Sequence, residues 1–426
     1  MRVAMIEACA DADAGIIGAW YVAERARRAG HEVDMLRQPK RDYDVELVSV
    51  HHCTDYPKLA AYPKRARYRL VGGHPTVSNP RPMIPFADAV CIGEGETWIG
   101  AALERLAATD AIESLTDLPG TIVSSRWQPG MDLPPSNVER PLPDNPPYLN
   151  RPGTLSAAWY IEIARGCPYG CAFCGLGNCV PFRLYSKDQV KHVLDQADTK
   201  KTRKINFYAP DEASHPDFSE LYDYLRQKGF AAGFSSMRIE SVLRRGIPPI
   251  PTNYLIRVGI DGLSERIRRL VKKPILDSQV VEYFTYLIDR GYVQFKTFFI
   301  FGYPWETKED WEAFEHLMRR VMNIPLRKNV SLRIKWTPFI PQPGTPLADE
   351  RPRYGYEAQQ RIMVWHALHA RPMTNPGWYV ENDGLMTAKT HREQCRLTAG
   401  DETVLLHGHE QVTPLHPRAA GVMGKT

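Results

Sequence analysis

Trp159–Cys174 reads WYIEIARGCPYGCAFC, a short apolar strand that breaks at a glycine and opens into a loop carrying Cys167, Cys171 and Cys174. Gly166, Pro168 and Gly170 bend the backbone between the thiols, as a loop wrapped around a ligand requires. With Cys179 the neighbourhood holds four of the chain's eight cysteines. Three thiolates spaced C-x3-C-x2-C can each bind a different iron of a cubane cluster and leave the fourth iron without a protein ligand. A structural zinc site asks instead for four ligands closed around one ion, usually as paired C-x2-C units. Cys179 is the thiol that could complete such a set, or form a redox pair with Cys174; otherwise it is a bystander.

What surrounds the loop narrows the choice. The N-terminus, MRVAMIEACADADAG, begins like a first strand and lacks the long apolar core of a signal peptide. No apolar stretch approaches the roughly 18–20 residues of a spanning helix. A cytoplasmic protein is therefore expected, with no membrane partner. Thiols there stay reduced and serve metals rather than disulfides. A net charge of +5 over 426 residues permits a polyanionic partner without requiring one.

The strand at Trp159 opens a series in which strand-like and helix-like segments alternate. KINFYAP, GFSSMRI, YLIRVGID, QFKTFFIFG and SLRIKWTPF read as strands. SKDQVKHVLDQAD, DFSELYDYLRQKG, SERIRRLVKK, DSQVVEYFTYLIDRG and KEDWEAFEHLMRRV read as helices between them. Six such units predict a partial (β/α)6 barrel over residues 156–345, with functional groups on the loops that follow the strands. A second alternating series precedes it over residues 1–125 and predicts a doubly wound parallel sheet. Eight prolines between Gln128 and Gly153 make residues 126–155 an extended connector. Residues 346–426 form a C-terminal extension. The fold class is α/β throughout.

The C-x3-C-x2-C motif with Phe173 before its last cysteine resembles the cluster signature of the radical SAM superfamily. The resemblance implies a 4Fe–4S cluster on Cys167, Cys171 and Cys174 whose open iron chelates S-adenosylmethionine. The reduced cluster then cleaves that cofactor to methionine and a 5′-deoxyadenosyl radical, which abstracts hydrogen from a C–H bond. Further segments resemble the family in the expected order. FYAPDEAS supplies Asp211 and Glu212 for the cofactor's amino group. SSMRIES supplies Ser236, Arg238 and Glu240 for its carboxylate and ribose, the arginine fork suiting a carboxylate. Asp261 in VGIDGLSERIRRLVKKPI, Gly302 in FFIFGYPWETKEDW and the segment TPFIPQPGTPL match later family positions. Gly302 is expected to let backbone approach the adenine. An external one-electron reductant of flavodoxin or ferredoxin type follows as a partner.

The N-terminal series resembles the Rossmann-like cobalamin-binding domain that precedes the barrel in one subgroup. VGGHPTV and CIGEGET carry this likeness, with Ser49, Gly72, Gly73, His74, Gly93, Glu94 and Gly95 placed in the cleft. The D-x-H-x-x-G loop of base-off cobalamin proteins is absent after MIEACADADAG. CTDYPKLAAYPKRARY, residues 53–68, stands where a full helix is usual and is interrupted by Pro57 and Pro63. A short helix there weakens one wall, so cobalamin remains open on the sequence. If the cleft closes, its loops face the barrel and Lys64, Arg65 and Arg67 serve an anionic substrate.

Other features carry bland readings beside functional ones. RIRRLVKK reads as the solvated face of a helix rather than a phosphate track. His51, His52 and His74 are cofactor groups or ordinary loop histidines. Trp336, Trp365 and Trp378 line a pocket or, by default, fill the core. HGHEQVTPLH binds metal or does nothing.

The leading functional reading is an enzyme that remodels its substrate after hydrogen abstraction, as an isomerase or lyase does, with an anionic substrate or a nucleic-acid base as one candidate. A cobalamin-dependent C-methyltransferase is the alternative. An iron–sulfur electron-transfer protein without catalysis is the reading from another class.

Overall fold

The computed structural model describes residues 1–8, 17–154, 156–233, 237–370 and 376–406. The N-terminal layer comprises β1 (Arg2–Glu7), α1 (Ile17–Arg28), β2 (Glu32–Leu36), β3 (Val45–Ser49), α2 (Tyr56–Ala61), β4 (Tyr68–Gly72), β5 (Ala89–Cys91), α3 (Glu96–Thr109) and β6 (Thr121–Val123). The strands form one sheet in the order β2-β1-β3-β4-β5-β6. β5 and β6 run antiparallel and the other neighbours are parallel. RVAMIE and VELVS are buried at every position but Arg2, as strands covered on both faces are, with Glu46 paired to Arg69. The order reverses direction between β1 and β3, and ligands of doubly wound folds bind at that switch point, beyond the carboxyl ends of the strands. α3 packs Trp98, Ile99, Ala102, Leu103 and Leu106 against the sheet, a stripe at helical spacing.

The second half contains β7 (Tyr148–Asn150), β8 (Ala158–Glu162), β9 (Ala164–Arg165), α4 (Gly175–Cys179), β10 (Arg183–Leu184), α5 (Lys187–Asp195), β11 (Lys204–Tyr208), α6 (Phe218–Gln227), β12 (Ala231–Ala232) and α7 (Ile239–Arg245). β13 (Ile256–Gly259), α8 (Glu265–Leu270), α9 (Asp277–Asp289), β14 (Gln294–Phe301), α10 (Lys308–Met322), β15 (Val330–Pro338), α11 (Tyr356–His369), β16 (Trp378–Leu385) and α12 (Ala388–Ala399) follow. Two four-stranded sheets, β12-β11-β8-β7 and β13-β14-β15-β16, contribute to one hydrophobic core. No ladder joins them among the described residues, so the barrel is open. β14 alternates buried and half-buried residues. Phe295, Phe299 and Phe301 face the helices and join Trp311, Phe314, Trp336, Trp365 and Trp378 in one aromatic core. The three tryptophans Trp336, Trp365 and Trp378 are thus core residues, the Trp336 indole donating to His366 Nε2 at 2.8 Å.

Two sequence expectations, for GFSSMRI and RIRRLVKK, need correction, while the C-terminal extension and the connector prove to be tied into the fold. The described residues of GFSSMRI contribute no strand: the two-residue β12 ends just before it. Arg238 instead caps α7, and Ser236 lies outside the described residues, as does HGHEQVTPLH. The C-terminal extension is no appendage. It returns β16 in parallel to β15 as a further strand, and α12 docks on the N-terminal layer, where Asn79 Nδ2 donates to the Thr398 and Gly400 carbonyls. The connector is extended but stapled, with Asn137 bonding to Ile92 and Glu94 of the first sheet. RIRRLVKK is a solvated face only in part: Arg266, Arg269 and Lys272 are exposed, but Arg268 is fully buried and donates to the Ile275 and Gly262 carbonyls and to Asp277, and Lys273 is buried as well. Among the described residues, no helix is long and apolar enough to cross a membrane.

Candidate active site

The cysteine loop leaves β9 and is fixed from several sides. Cys174 N–H donates to the Cys171 carbonyl, and Asn178 Nδ2 donates to the carbonyls of both Cys171 and Cys174 at 2.9 and 2.8 Å. Ala172 N–H donates to the Val271 carbonyl at 2.9 Å, tying the loop to the segment after α8. Phe173 packs on Tyr303, which stacks on Phe339. Asn178 was invisible in the sequence reading; an Asn four residues beyond the last motif cysteine is its only signal. Burial pushes the Cys167 and Cys179 thiols up, with Cys174 adding to both.

Among the described residues, no three His, Cys, Asp or Glu side chains converge tightly enough to hold a single metal ion. Thiols that bind three different irons stand apart by the width of a cluster face, whereas a zinc set would converge on one point. Three thiols on one short loop are the donor chemistry that a cubane cluster takes, one for each of three irons. Cys179 turns aside, its sulfur meeting the Pro343 and Gly344 carbonyls at 3.7 and 3.5 Å.

Beside the loop lies a cup built from β11 and α7. Asp211, buried, accepts from Tyr169 Oη at 2.7 Å and Ser241 Oγ at 2.6 Å. Arg238 lies over the Tyr169 ring at 4.2 Å, donates Nη2–H to Glu240 at 2.8 Å and reaches Cys171 Sγ with Nη1 at 3.5 Å. Burial opposes its charge, yet Glu240 and Cys171 together raise its pKa. Among the described residues, Arg238 Nε and Glu240 Oε2 are buried without a partner. A buried polar atom left unpaired costs free energy, so this edge of the cup suits a polar ligand. Glu212 points elsewhere: it is fully enclosed and accepts from the Tyr222 hydroxyl.

Asp261 takes a positive φ of 61° and pairs with Lys273, whose Nζ also donates to the Gly259 carbonyl at 2.7 Å. Gly302 has φ 78°, and a Cβ there would stand 2.4 Å from the Arg353 carbonyl oxygen. The close approach at Gly302 is therefore made by the chain's own strand of Arg353, whose N–H bonds to the Gly302 carbonyl. Gly302 N–H donates to Glu306, a carboxyl that burial pushes up to about 7 and that the sequence reading passed over.

Between the first sheet and the cysteine loop lies a cavity of about 790 Å³. Ser49, Gly72, Gly73 and His74 line it at the ends of β3 and β4, with His51 beside them. Gly93, Glu94 and Gly95 line it after β5. From the barrel come Tyr160, Glu162, Arg165, Leu176, Tyr208 and Cys179. The cleft is open despite the short α2. Gly73, at φ 126°, is required by the Val50 carbonyl, which would stand 1.9 Å from a Cβ. Lys64 and Arg67 do not line the cavity; they pair with Asp88 and Asp110, and Arg65 is likewise outside its wall. His52 is also outside, bonded to Thr54.

A charged lattice closes the seam of this cavity. Arg165 meets Glu96 and Glu162 at 2.7 Å and Glu94 at 3.3 Å. Arg183 pairs with Glu94 and donates to the Glu139 carbonyl. Tyr185 Oη donates to Glu162 and Asn145 to Glu96. Burial alone would raise the Glu96 carboxyl; Arg165 beside it brings it below its ordinary value. None of Glu162, Arg165, Arg183 or Tyr185 was singled out from sequence, because, apart from the i,i+3 pair Glu162–Arg165, their pairings join segments distant in the chain.

Comparison with known proteins follows this geometry. Residues 161–318 match the Radical SAM superfamily. The hopanoid C-3 methylase of Methylococcus capsulatus is 30% identical over 92% of this chain and 80% of its own length. An uncharacterized protein of Methanocaldococcus jannaschii is 25% identical over 85% of this chain and 79% of its own. Among solved structures, the radical S-adenosylmethionine methyltransferase TsrM of Kitasatospora setae, with cobalamin and a [4Fe-4S] cluster bound, aligns over 82% of this chain and 77% of its own, with a TM-score of 0.59 at 12% identity. The cobalamin-dependent S-adenosylmethionine radical enzyme OxsB aligns over 76% of this chain and 52% of its own, with a TM-score of 0.54 at 13% identity.

Proposed function

The chain belongs to the radical SAM superfamily, in the group whose barrel follows a cobalamin-binding-type domain, and on that premise we propose that it is a cobalamin-dependent methyltransferase acting at a substrate carbon. Methyl transfer, the alternative on sequence, takes precedence over rearrangement because the cavity at the switch point of the first sheet opens beside the cysteine loop. That juxtaposition carries the reading. The relative named a methylase and the fold of the methyltransferase TsrM support it.

When bound, the cluster supplies an electron to S-adenosylmethionine and cobalamin supplies a transferable methyl group. Cys167, Cys171 and Cys174 would hold the cluster, and Phe173 seats its loop against Tyr303. Arg238 and Glu240 offer the unpartnered Nε and Oε2 to the polar end of S-adenosylmethionine. Asp211 keeps Tyr169 under the Arg238 guanidinium. Asp261 and Gly302 shape the floor through their bonds to Lys273 and Arg353, whereas Glu212 is turned into the core toward Tyr222. Ser49, Gly72, Gly73 and His74, with Gly93, Glu94 and Gly95, would hold the corrin. The lattice around Arg165 keeps the two halves in register. An external one-electron donor of flavodoxin or ferredoxin type completes the system.

The test is reconstitution of the full chain with iron, sulfide and hydroxocobalamin under anaerobic conditions, followed by gel filtration. Retention of one corrin equivalent, and its methylation on addition of S-adenosylmethionine, are expected. A chain that releases 5′-deoxyadenosine from S-adenosylmethionine but keeps no corrin would return the rearrangement reading to first place.

A further inference from the structure

Arg238 is the residue whose surroundings the proposed function does not exhaust. Its Nη1 stands 3.5 Å from Cys171 Sγ, its Nη2 is 2.8 Å from Glu240, and its guanidinium covers the Tyr169 ring at 4.2 Å. Its side chain is only 11% exposed, against 32% for Glu240. Asp211 fixes this arrangement from beneath, through Tyr169 Oη at 2.7 Å and the Arg238 N–H at 3.4 Å. A flexible solvent-facing arginine would sample many positions; this one is stacked, paired and buried. One guanidinium thus reaches two different groups, with its Nε left over for a third.

We propose that Arg238 and Glu240 are positioning residues that set the reduction potential of the cluster through the sulfur of Cys171, in addition to any role in cofactor binding. The inference rests on the reading of Cys171 as a cluster ligand. A hydrogen bond from a cation to a ligating sulfur withdraws negative charge from it, and hydrogen bonds to cluster sulfurs and local charge are among the protein's levers on potential. One electron enters from the external donor, no bond is made or broken, and the cluster becomes more negative by one charge. Arg238 therefore stabilises the reduced form and raises the potential. Glu240, on the other edge of the same guanidinium, offsets part of that field and lowers it. The two residues act in opposite directions on one property, which a purely architectural role would not produce.

The test is an EPR-monitored potentiometric titration of the anaerobically reconstituted full chain, without S-adenosylmethionine so that cofactor affinity does not enter. Arg238→Gln, with iron and sulfide at wild-type levels, is expected to shift the one-electron equilibrium about tenfold toward the oxidised form, about 59 mV more negative. Arg238→Lys keeps the charge and should recover part of the shift, while Glu240→Gln should move the potential the other way. If Arg238→Gln loses iron, Arg238→Lys and Glu240→Gln carry the decision, and wild-type potentials in both overturn the proposal. Equal potentials in wild type and an iron-replete Arg238→Gln also overturn it, leaving the cluster reading intact. A wild-type chain that takes up no 4Fe–4S cluster sinks the cluster reading itself, and this inference with it.

Discussion

Two charged clusters flank the cysteine loop, and they are finished to different degrees. At the seam, the charged groups of Arg165 and Arg183 are paired with Glu94, Glu96 and Glu162, and Tyr185 and Asn145 add bonds, with Asn145 Oδ1 left buried without a partner among the described residues. In the cup it is the charged groups themselves, Arg238 and Glu240, that keep Nε and Oε2 buried and unpaired among the described residues. A closed network rigidifies whatever it joins, whereas an open one carries a penalty that a ligand can relieve. The seam is thus read as architecture that aligns two half-sites, and the cup as the surface that meets a cofactor.

The sharpest break in that picture would come from the loop itself. Replacing Cys167, Cys171 or Cys174 by Ala should abolish cluster assembly, since each thiolate holds a different iron. Iron and sulfide analysis after reconstitution reads this directly. Cys179→Ala should keep the cluster, because its sulfur faces the Pro343 and Gly344 carbonyls. Equal loss of iron in all four variants would mean a four-thiolate site and would end the radical reading.

Next in size is the seam. Arg165→Gln strands Glu96 and Glu162 in a buried site, and breaking such a pair by removing one partner costs about 3–5 kcal/mol. Chemical denaturation of the full chain should show that loss, with weaker corrin retention even where the fold survives. An unchanged unfolding midpoint would show that the lattice does not hold the halves together. Arg238→Ala gives the contrasting result. Its charge-assisted bonds are worth roughly 1.5–3 kcal/mol, or about ten- to a hundredfold in S-adenosylmethionine affinity, with a smaller change in stability. A variant that binds the cofactor as wild type does would remove Arg238 from the cofactor's contacts.

The contrast between seam and cup also explains what the sequence revealed. Periodicity and local spacing are short-range properties, so RVAMIE, the α3 stripe and C-x3-C-x2-C announced themselves. Glu94 and Arg165 lie 71 positions apart, and nothing local marks them as partners. Glu212 sits one residue from Asp211, yet a single 3-10 turn sends it into the core toward Tyr222 while Asp211 meets Tyr169. β16 hid because WYVENDGL loses its apolar alternation halfway, being an edge strand with one covered face. Gly302 is expected from sequence to let backbone approach the adenine, and only the folded chain shows that the Arg353 segment packs against it.

The smallest expected effect separates two carboxylates by their company. Glu96 is paired directly with Arg165 and is held below its ordinary value, whereas the half-buried Glu306, which accepts from the neutral Gly302 N–H, is pushed up to about 7 by burial. The ordinary value is 4.5, so as pH rises the unfolded chain releases this proton before the folded chain does. Glu306 therefore lowers stability progressively between about pH 4.5 and 7 and holds that cost above pH 7. Glu306→Gln retains an oxygen for the Gly302 N–H and carries no charge. It should leave stability near pH 4.5 unchanged and raise it by about 1–3 kcal/mol above pH 7, since one pKa unit corresponds to about 1.4 kcal/mol. Urea midpoints of both chains across this window measure the difference. Parallel curves would mean that Glu306 finds a compensating partner, and that a half-buried carboxylate here needs no arginine of the kind that serves Glu96.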